Sequence, residues 1–229
     1  MDFITALKRF APQVSDVQAD KFRIYYEMLV DWNENRCNLT AITEPEEVIQ
    51  KHFLDSCLPQ SLIPKNANCV DVGTGAGFPG VPLLIMRPDI TLTLIDSLKK
   101  RIDFLESLTE RLGLSVTCIH ARAEDAGRDD SLRGRFDIAL TRAVSQTNIL
   151  LEWTTPLLKV GGVSLMYKSA TANDELNACG NVLSVLGLKA DVKQFEAQWG
   201  ERCVICAEKL KKTPAAYPRK AGTAKKNPL

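Results

Sequence analysis

The sequence predicts an α/β fold, in which a mostly parallel seven-stranded sheet carries helices on both faces and has an antiparallel last strand. From Cys69 onward, short apolar strands alternate with longer helical stretches, a pattern typical of a parallel sheet. Strands at 190–195 and 202–207 lie too close together for a helical crossover, so we expect an antiparallel pair there. The first sixty residues contain no convincing strand and predict a small N-terminal helical extension.

The composition is that of an ordinary globular protein, since 45% of the 229 residues are hydrophobic and 25% are charged. No apolar run approaches the roughly 20 residues that span a bilayer. Residues 1–10 also lack the apolar stretch and the cleavage-like site of a signal peptide. We therefore expect a cytoplasmic protein with no membrane partner. Nothing in the chain suggests an obligate dimer, so we expect a monomer.

The predicted extension, residues 1–62, contains two helices. Ser15 is a suitable N-cap for a helix that runs to about Asn35. The second helix begins after residues 43–45, with Pro45 in its first turn. Apolar residues recur along the first helix at three- and four-residue steps, at Phe22, Tyr25, Tyr26, Leu29, Val30 and Trp32.

The predicted sheet domain spans residues 63–210. Its first five strands are expected at 69–72, 91–96, 116–120, 136–140 and 163–167. The longer helices between them are expected at 98–112, 147–158 and 173–186.

No metal site is expected. The seven cysteines are an odd number scattered through apolar stretches, and only Cys203 and Cys206 have a spacing that suits a metal or redox pair. These two fall inside a predicted buried strand, and no second cysteine or histidine pair accompanies them. We interpret them as core residues.

The last part of the chain, residues 211–229, is predicted to be a basic tail. Residues 209–229 contain seven basic residues and no acidic one, against a net charge of +1 for the whole chain, so the remainder carries −6. A basic segment beside a mildly acidic body is typical of a protein with a polyanionic partner. Composition alone leaves a merely solvated terminus equally open.

The central motif is the glycine-rich turn at residues 70–80, VDVGTGAGFPG. Glycines there let the chain turn sharply from a strand into a helix and let a ligand approach the backbone closely. In a doubly wound sheet this first turn lies where the ligand crevice opens.

Two cofactors compete for this turn. Gly75, Gly77 and Gly80 match the dinucleotide fingerprint, and Asp96 lies about 20 residues on, where a ribose-binding acid is expected. Asp96 does not discriminate, because both cofactors contain a ribose. Asp71 distinguishes the two cofactors, because a carboxylate so close to the turn suits the ammonium of S-adenosylmethionine better than the pyrophosphate of NAD. We predict S-adenosylmethionine.

Two later strand ends supply further candidates. Ala123 and Glu124 follow the third strand, where they would lie beside the adenine; the alternative is an ordinary acidic helix start. Arg142 follows the fourth strand and faces the substrate side, where its planar fork can bind a cofactor carboxylate or an RNA phosphate. The alternative for Arg142 is a surface ion pair.

Several segments together resemble the bacterial glucose-inhibited-division B proteins, which are guanine-N7 methyltransferases of small-subunit (16S) ribosomal RNA. The resemblance covers almost the whole chain, and its motifs are more specific than the glycine turn alone. The matching segments are residues 38–40, 52–56, 71–82, 94–97, 100–101, 104–105, 142–143 and 217–223.

The resemblance implies a class I S-adenosylmethionine-dependent methyltransferase fold, Rossmann-like, with S-adenosylmethionine as donor and ribosomal RNA of the small subunit as acceptor. Arg142 and Lys168 are the catalytic candidates at the active-site edge. The cofactor candidates are Asp71, Gly73, Gly75, Gly77, Phe78, Asp96, Ala123, Glu124 and Arg142.

Guanine N7 has a lone pair and no proton, so it can attack a methyl group without a general base. In-line alignment alone can supply roughly 7–11 kcal/mol. The absence of an obvious acid–base pair is therefore compatible with an enzyme.

The substrate candidates lie outside the cofactor turn. His52 and Asp55 are three residues apart on one helical face and could reach the substrate crevice; alternatively they tie the N-terminal helices to the sheet. Tyr217 could stack on an unpaired base. The basic residues expected to contact RNA phosphates are Arg219, Lys220, Lys225 and Lys226.

Two other functions remain open on the sequence. A small-molecule methyltransferase could use the same turn, although the basic tail and the lack of a large lid insertion disfavour it. An interaction protein that binds a nucleotide without catalysis is disfavoured by the intact Asp71, Gly73 and Arg142. The sequence does not identify the target nucleotide, nor whether naked RNA or the assembled subunit is modified.

Overall fold

Seven strands form one sheet in the computed structural model, which describes residues 2–229 and leaves Met1, the first residue of the predicted extension, outside the described part. The strands are β1 (Asn68–Val72), β2 (Thr91–Asp96), β3 (Thr117–His120), β4 (Phe136–Arg142), β5 (Leu158–Lys168), β6 (Leu188–Phe195) and β7 (Arg202–Lys209). Their order is β3-β2-β1-β4-β5-β7-β6. Strands β1 to β5 pair in parallel, and β7 runs antiparallel to both β5 and β6. The predicted sheet and its antiparallel pair are confirmed.

Helices precede the sheet and connect its strands. A π-helix (Ile49–Leu54) lies between α3 and α4, and short 3-10 turns follow at Leu58–Leu62 and Thr155–Leu157. The α-helices are α1 (Phe3–Phe10), α2 (Asp16–Asn35), α3 (Pro45–Val48), α4 (Asp55–Cys57), α5 (Gly80–Met86), α6 (Lys99–Arg111), α7 (Ala123–Ala126), α8 (Thr147–Thr154), α9 (Ala172–Asn177), α10 (Gly180–Leu186) and α11 (Thr223–Lys226).

The start of α2 confirms the predicted N-cap. The Ser15 hydroxyl accepts a hydrogen bond from the N–H of Gln18, and the Gln18 side chain accepts one from the N–H of Ser15. This reciprocal pair satisfies two donors that a helix start leaves free. Helix α1 was not predicted; its first turn is capped by Asp2, whose side chain accepts from the N–H of Thr5.

Two predicted helices are shorter than expected. The helix expected at 147–158 ends at Thr154, because Pro156 has no N–H to continue the hydrogen-bond ladder, and β5 begins at Leu158. The helix expected at 173–186 is divided at residues 178–179, just before Gly180, a residue that lowers helix stability in the interior of a helix.

Both faces of the sheet are covered, because alternate residues of each strand enter different hydrophobic cores. Leu94 and Leu140 pack in the core that contains the N-terminal helices, whereas their neighbours Ile95 and Ala139 pack on the opposite face. The extension therefore shares its core with the sheet. Among residues 2–229, no helix is both long and apolar enough to cross a bilayer.

Candidate active site

The candidate site lies between β1 and β4, where the strand order of the sheet reverses. In open α/β sheets, ligands bind at the carboxyl ends of the strands at such a switch point. Strand β1 ends in the glycine-rich turn, and β4 ends at Arg142. The two strands pair in register, with Asp71 opposite Leu140, so the turn and Arg142 lie side by side at the same edge.

Three glycines of the turn have backbone angles that other residues rarely adopt: φ is +70° at Gly73, +61° at Gly75 and +99° at Gly77. A β-carbon at Gly77 would lie 2.6 Å from the Tyr25 hydroxyl oxygen, whereas one at Gly75 would meet no heavy atom within 4 Å. That hydroxyl donates a hydrogen bond to the carbonyl oxygen of Ala76. Gly77 therefore allows α2 to fasten the turn, and Gly75 faces open space.

Replacing Gly77 with alanine is expected to destabilise the protein by about 3 kcal/mol or more, because backbone strain and the clash with Tyr25 act together. The matched control is Gly75→Ala, which adds strain without a clash and is expected to cost roughly 1–2 kcal/mol. Urea unfolding followed by circular dichroism compares the two variants. Equal losses would show that Tyr25 does not constrain the turn.

Asp71 is fully buried beneath the turn. Its Oδ2 accepts hydrogen bonds from the Thr74 hydroxyl at 2.8 Å and from the N–H of Gly80 at 2.9 Å. Its Oδ1 has no hydrogen-bond partner within residues 2–229. Burial raises the pKa of Asp71 to about 7, although the two hydrogen bonds oppose this rise. Asp71 thus holds the turn with one oxygen and has the other unsatisfied.

Asp96 lies at the end of β2, beside the turn. Its Oδ2 accepts from the N–H of Gly75 at 2.9 Å, and its Oδ1 accepts from the N–H of Leu98 at 2.9 Å. These bonds join the turn to the start of α6. A narrow cleft opens at this edge, between the ends of β1, β2 and β3. The predicted cofactor residues that line it are Gly73, Asp96, Ala123 and Glu124.

Arg142 is held by the two substrate candidates of the N-terminal extension. Its Nη1 donates to the Lys51 carbonyl oxygen at 3.1 Å and lies 3.4 Å from Asp55 Oδ2, and its Nη2 lies 3.3 Å from His52 Nδ1. The side chains of Arg142 and Asp55 are only 14% and 10% exposed, so this is not a surface ion pair. His52 and Asp55 therefore tie the extension to the sheet.

The ring of Phe78 packs against this cluster. It stacks on His52, with ring centroids 4.6 Å apart, and the Arg142 guanidinium lies 4.9 Å from its centroid. Burial, and after it the Arg142 charge, lowers the pKa of His52 to about 4, so the imidazole is neutral at pH 7. A neutral ring can accept from Arg142 at Nδ1 while Nε2 donates to the Thr40 hydroxyl at 2.8 Å. Phe78 therefore positions Arg142 and His52, and its ring is not among the groups that line the cleft.

Two residues that the sequence analysis missed complete the cluster. Trp199 Nε1 and Arg202 Nε both donate to Asp55 Oδ1, at 3.0 Å and 2.6 Å. The predicted antiparallel pair included the strand that starts at Arg202, but not its neighbour: in the structure, the start of β7 lies beside the carboxyl end of β5, where Lys168 pairs with Cys203. Residues at the start of β7 therefore reach the same edge as the glycine turn.

A second cavity opens beside the ends of β4, β5 and β7. Lys168, the other catalytic candidate, donates from Nζ to Glu175 Oε2 at 2.7 Å and to the Ser145 carbonyl oxygen at 3.3 Å. The charged and aromatic residues that line the cavity are Asp55, Arg142, Tyr167, Lys168, Glu175, Phe195 and Arg202.

Residues 142–144 separate this cavity from the cleft. Arg142 and Ala143 line the cavity, whereas Val144 lines the cleft and lies against Gly73. Ala143 has a φ of +55°, a conformation that residues with a side chain rarely adopt and that is often found at functional sites. At this left-handed residue, the side chains on its two sides line two different spaces.

Comparison with known proteins shows to which family the chain belongs. The model of the GidB family, described as rRNA small subunit methyltransferase G, matches residues 18–203. The chain belongs to the GidB family. It is therefore a methyltransferase, and it is 46% identical over 234 residues to ribosomal RNA small subunit methyltransferase G of Lactococcus lactis subsp. lactis, covering 100% of this chain and 98% of that one. The Desulfitobacterium hafniense protein of the same name is 47% identical over 226 residues, covering 97% and 94%.

Solved structures confirm the class I methyltransferase fold of this GidB-family chain. A methyltransferase from Pyrococcus furiosus superposes with a TM-score of 0.59 at 13% identity, covering 84% of this chain and 100% of that one. A S-adenosylmethionine-dependent methyltransferase from Aquifex aeolicus superposes with a TM-score of 0.53 at 15% identity, covering 72% and 94%. At these identities the likeness concerns the fold alone.

The basic segment of the GidB-family chain is folded against the body. The Arg219 guanidinium donates to both carboxylate oxygens of Glu152, at 2.6 Å to Oε2 and 3.0 Å to Oε1; its contact with an RNA phosphate stays a prediction. Lys220, Lys225 and Lys226 are all exposed to solvent, and Lys225 also lines the cleft at the glycine turn. Among residues 2–229, no group of three or more histidine, cysteine, aspartate or glutamate side chains could hold a metal ion.

Proposed function

We propose that this chain transfers a methyl group from S-adenosylmethionine to N7 of a guanine in 16S ribosomal RNA. The observation that carries the proposal is the cleft at the glycine turn and its neighbouring cavity, separated only by residues 142–144. Such a pair of spaces suits a cofactor and a nucleobase that must meet at one point. The named relatives supply the class of RNA.

The residues of the cleft and of the glycine turn beside it fit the proposed cofactor. Asp71 keeps one buried oxygen without a partner, which an ammonium group can satisfy directly or through a water molecule. Gly75 faces open space where a ligand can approach the backbone. We assign the ammonium to Asp71, the ribose to Asp96 and the adenine to the backbone at Ala123 and Glu124. The fully buried carboxylate of Asp71 would disfavour the pyrophosphate of NAD.

When bound, S-adenosylmethionine supplies a methyl group on a cationic sulfur, and the sulfur keeps the electron pair of the broken bond. Guanine N7 provides its own lone pair, so no side chain has to remove a proton. His52 is engaged at both ring nitrogens and is neutral at pH 7, which suits a positioning role and not that of a base. The chain contributes mainly by aligning the two reactants.

Arg142 and Lys168 are placed to position the target nucleotide. The recorded hydrogen bonds of Arg142 use three of its five N–H donors, and those of Lys168 use two of its three. Both residues line the cavity, so the remaining donors are available to a base or phosphate. Asp55 and Glu175 line the same cavity, and their carboxylates would stabilise the cationic base that the reaction produces.

The exposed lysines of the basic segment are proposed to contact RNA phosphates. Because Arg219 is paired with Glu152 and Lys225 faces the cleft, Lys220 and Lys226 are the residues most available for this contact. With small ribosomal subunits as its substrate, the proposed enzyme would act in the cytoplasm, which is the location expected from the sequence.

A double variant, Lys220→Ala with Lys226→Ala, is expected to bind small-subunit RNA more weakly and with a shallower dependence on salt concentration. Each phosphate contact contributes about 0.7–0.9 to the slope of log affinity against log salt, so the slope is expected to fall by roughly 1.4–1.8. Filter binding between low and moderate salt measures it. An unchanged slope would remove these two lysines from the RNA interface.

The experiment that tests the proposed function is transfer of labelled methyl from S-adenosylmethionine to small subunits that lack the modification, followed by nucleoside digestion. Label in 7-methylguanosine is the expected result. Label in another nucleoside would contradict the target atom, and no label despite cofactor binding would contradict the RNA substrate. Naked 16S RNA assayed in parallel shows which form is modified, and an Arg142→Lys variant tests the need for the planar fork.

A further inference from the structure

The segment 213–229, here named the strap, is anchored to the body by two buried carboxylates. Glu124 Oε1 accepts the N–H of Gly222 at 2.9 Å, and Glu152 Oε1 accepts the backbone N–H of Arg219 at 2.8 Å in addition to its guanidinium bonds. Glu124 is 2% exposed and Glu152 is 0% exposed. Buried carboxylates are costly unless they are paired, so these anchors fix the position of the strap.

The anchors place α11 against the cofactor cleft. Ala224 is buried, and the Lys225 Nζ lies 5.4 Å from the centroid of the Trp153 ring. Lys225 and Trp153 both line the cleft, together with Asp96 and the backbone at Ala123. This is the adenosine side of the cleft in the proposed function.

Lys225 and Trp153 carry hydrogen-bond donors that the described residues do not satisfy. Trp153 is 4% exposed, and its indole N–H has no hydrogen-bond partner within residues 2–229. A buried donor without a partner costs about 1–3 kcal/mol, so such groups call for an explanation. Lys225 is exposed; within the same residues its ammonium forms no ion pair, and it lies over the face of the Trp153 ring.

We propose that Lys225 and Trp153 are cofactor-binding residues, which donate hydrogen bonds to acceptor atoms of an adenosine-containing ligand. The strap is then part of the cofactor site, and its basic residues serve two ligands: Lys225 serves the cofactor, and Lys226 the RNA. The inference rests on the proposed cofactor. Adenosine is the chemical class that fits, because its ring nitrogens and ribose oxygens are acceptors.

The test is calorimetric binding of S-adenosylmethionine and of its demethylated product to the full chain and three variants. Lys225→Ala is expected to weaken binding of both ligands about tenfold, as the loss of one charge-assisted hydrogen bond does. The matched control Lys226→Ala, one residue away and outside the cleft, is expected to leave affinity within about twofold. Equal affinities of the two variants would overturn the assignment of Lys225.

Trp153→Phe tests the second donor. It keeps an aromatic ring and removes the unsatisfied N–H, so cofactor affinity is expected to fall without a matching fall in the urea midpoint of unfolding. Unchanged affinity would overturn the role of Trp153, and so would a loss of affinity that merely follows a loss of stability. If the unmodified chain binds neither ligand, it is the proposed cofactor that fails and not the assignment of the strap.

Discussion

Replacing Asp55 with alanine is expected to lower the free energy of unfolding by about 3–5 kcal/mol, because removal of one partner leaves buried charges uncompensated. Asp55 Oδ1 accepts from Trp199 and Arg202, and its Oδ2 lies beside Arg142. Methyl transfer is expected to fall as well, since Arg142 loses a group that holds it at the edge of the cavity. Urea unfolding and the methyl-transfer assay measure the two effects.

Two controls separate the contributions of Asp55. Asp55→Asn retains an acceptor for Trp199 and Arg202 but removes the charge, so its loss of stability is expected to be smaller. Asp103→Ala removes an exposed ion pair with Lys99 and is expected to change stability little. If Asp55→Ala lost no more stability than Asp103→Ala, the cluster would not be holding the extension to the sheet.

Replacing Asp71 with asparagine is expected to weaken S-adenosylmethionine binding about 100-fold at pH 7.5, because a buried ammonium–carboxylate contact contributes roughly 2–3 kcal/mol. The pKa of Asp71, raised by burial to about 7, adds a pH dependence. A bound ammonium favours the ionised carboxylate, so below pH 7 binding must expel a proton from Asp71, and the affinity of the unmodified chain falls by up to about tenfold per pH unit. Above about pH 8 the ligand's own amine loses its charge. Calorimetry from pH 5.5 to 9 measures the profile.

The asparagine variant is its own control for this profile, since it cannot ionise. Its affinity is expected to be flat between pH 5.5 and 7. The free energy of unfolding of the ligand-free protein changes with pH in the opposite direction. The folded-state pKa of Asp71 lies above its ordinary value of 3.8, so ionisation of Asp71 lowers this free energy as the pH rises from about 4 to 7. The midpoint of unfolding of Asp71→Asn should therefore rise relative to that of the unmodified chain as the pH rises over this range. If both proteins lost cofactor affinity equally at acid pH, the pH dependence would belong to another group.

Much of the fold and of the cleft at the glycine turn could be predicted because the signals are local. An apolar strand followed by glycines and a helix occupies a few residues, and the carboxyl ends of parallel strands meet at one edge, which brings Gly73, Asp96 and Ala123 to one cleft. The π-helix at Ile49–Leu54 could not be predicted, since apolar spacing there suits an α-helix equally well.

Contacts between distant parts of the chain escaped the sequence analysis. Asp55 and Arg202 are 147 positions apart, and no local pattern indicates that they pair. The basic segment was predicted from its charge as an RNA-binding tail, but charge does not show which lysine or arginine meets a buried carboxylate. Glu152, the partner of Arg219, lies in α8 between the apolar run 149–151 and Trp153. An acid among apolar helix residues is the signal that could have suggested a distant basic partner.

The wall formed by residues 142–144 bears on the kinetics of the reaction. The cleft and the cavity share no lining residue among those that define them, and each faces its own side of that wall. With the cofactor in the cleft and the RNA base in the cavity, as proposed, we expect each to enter from its own side of the wall. We then expect the wall itself to impose no order of addition on the two substrates.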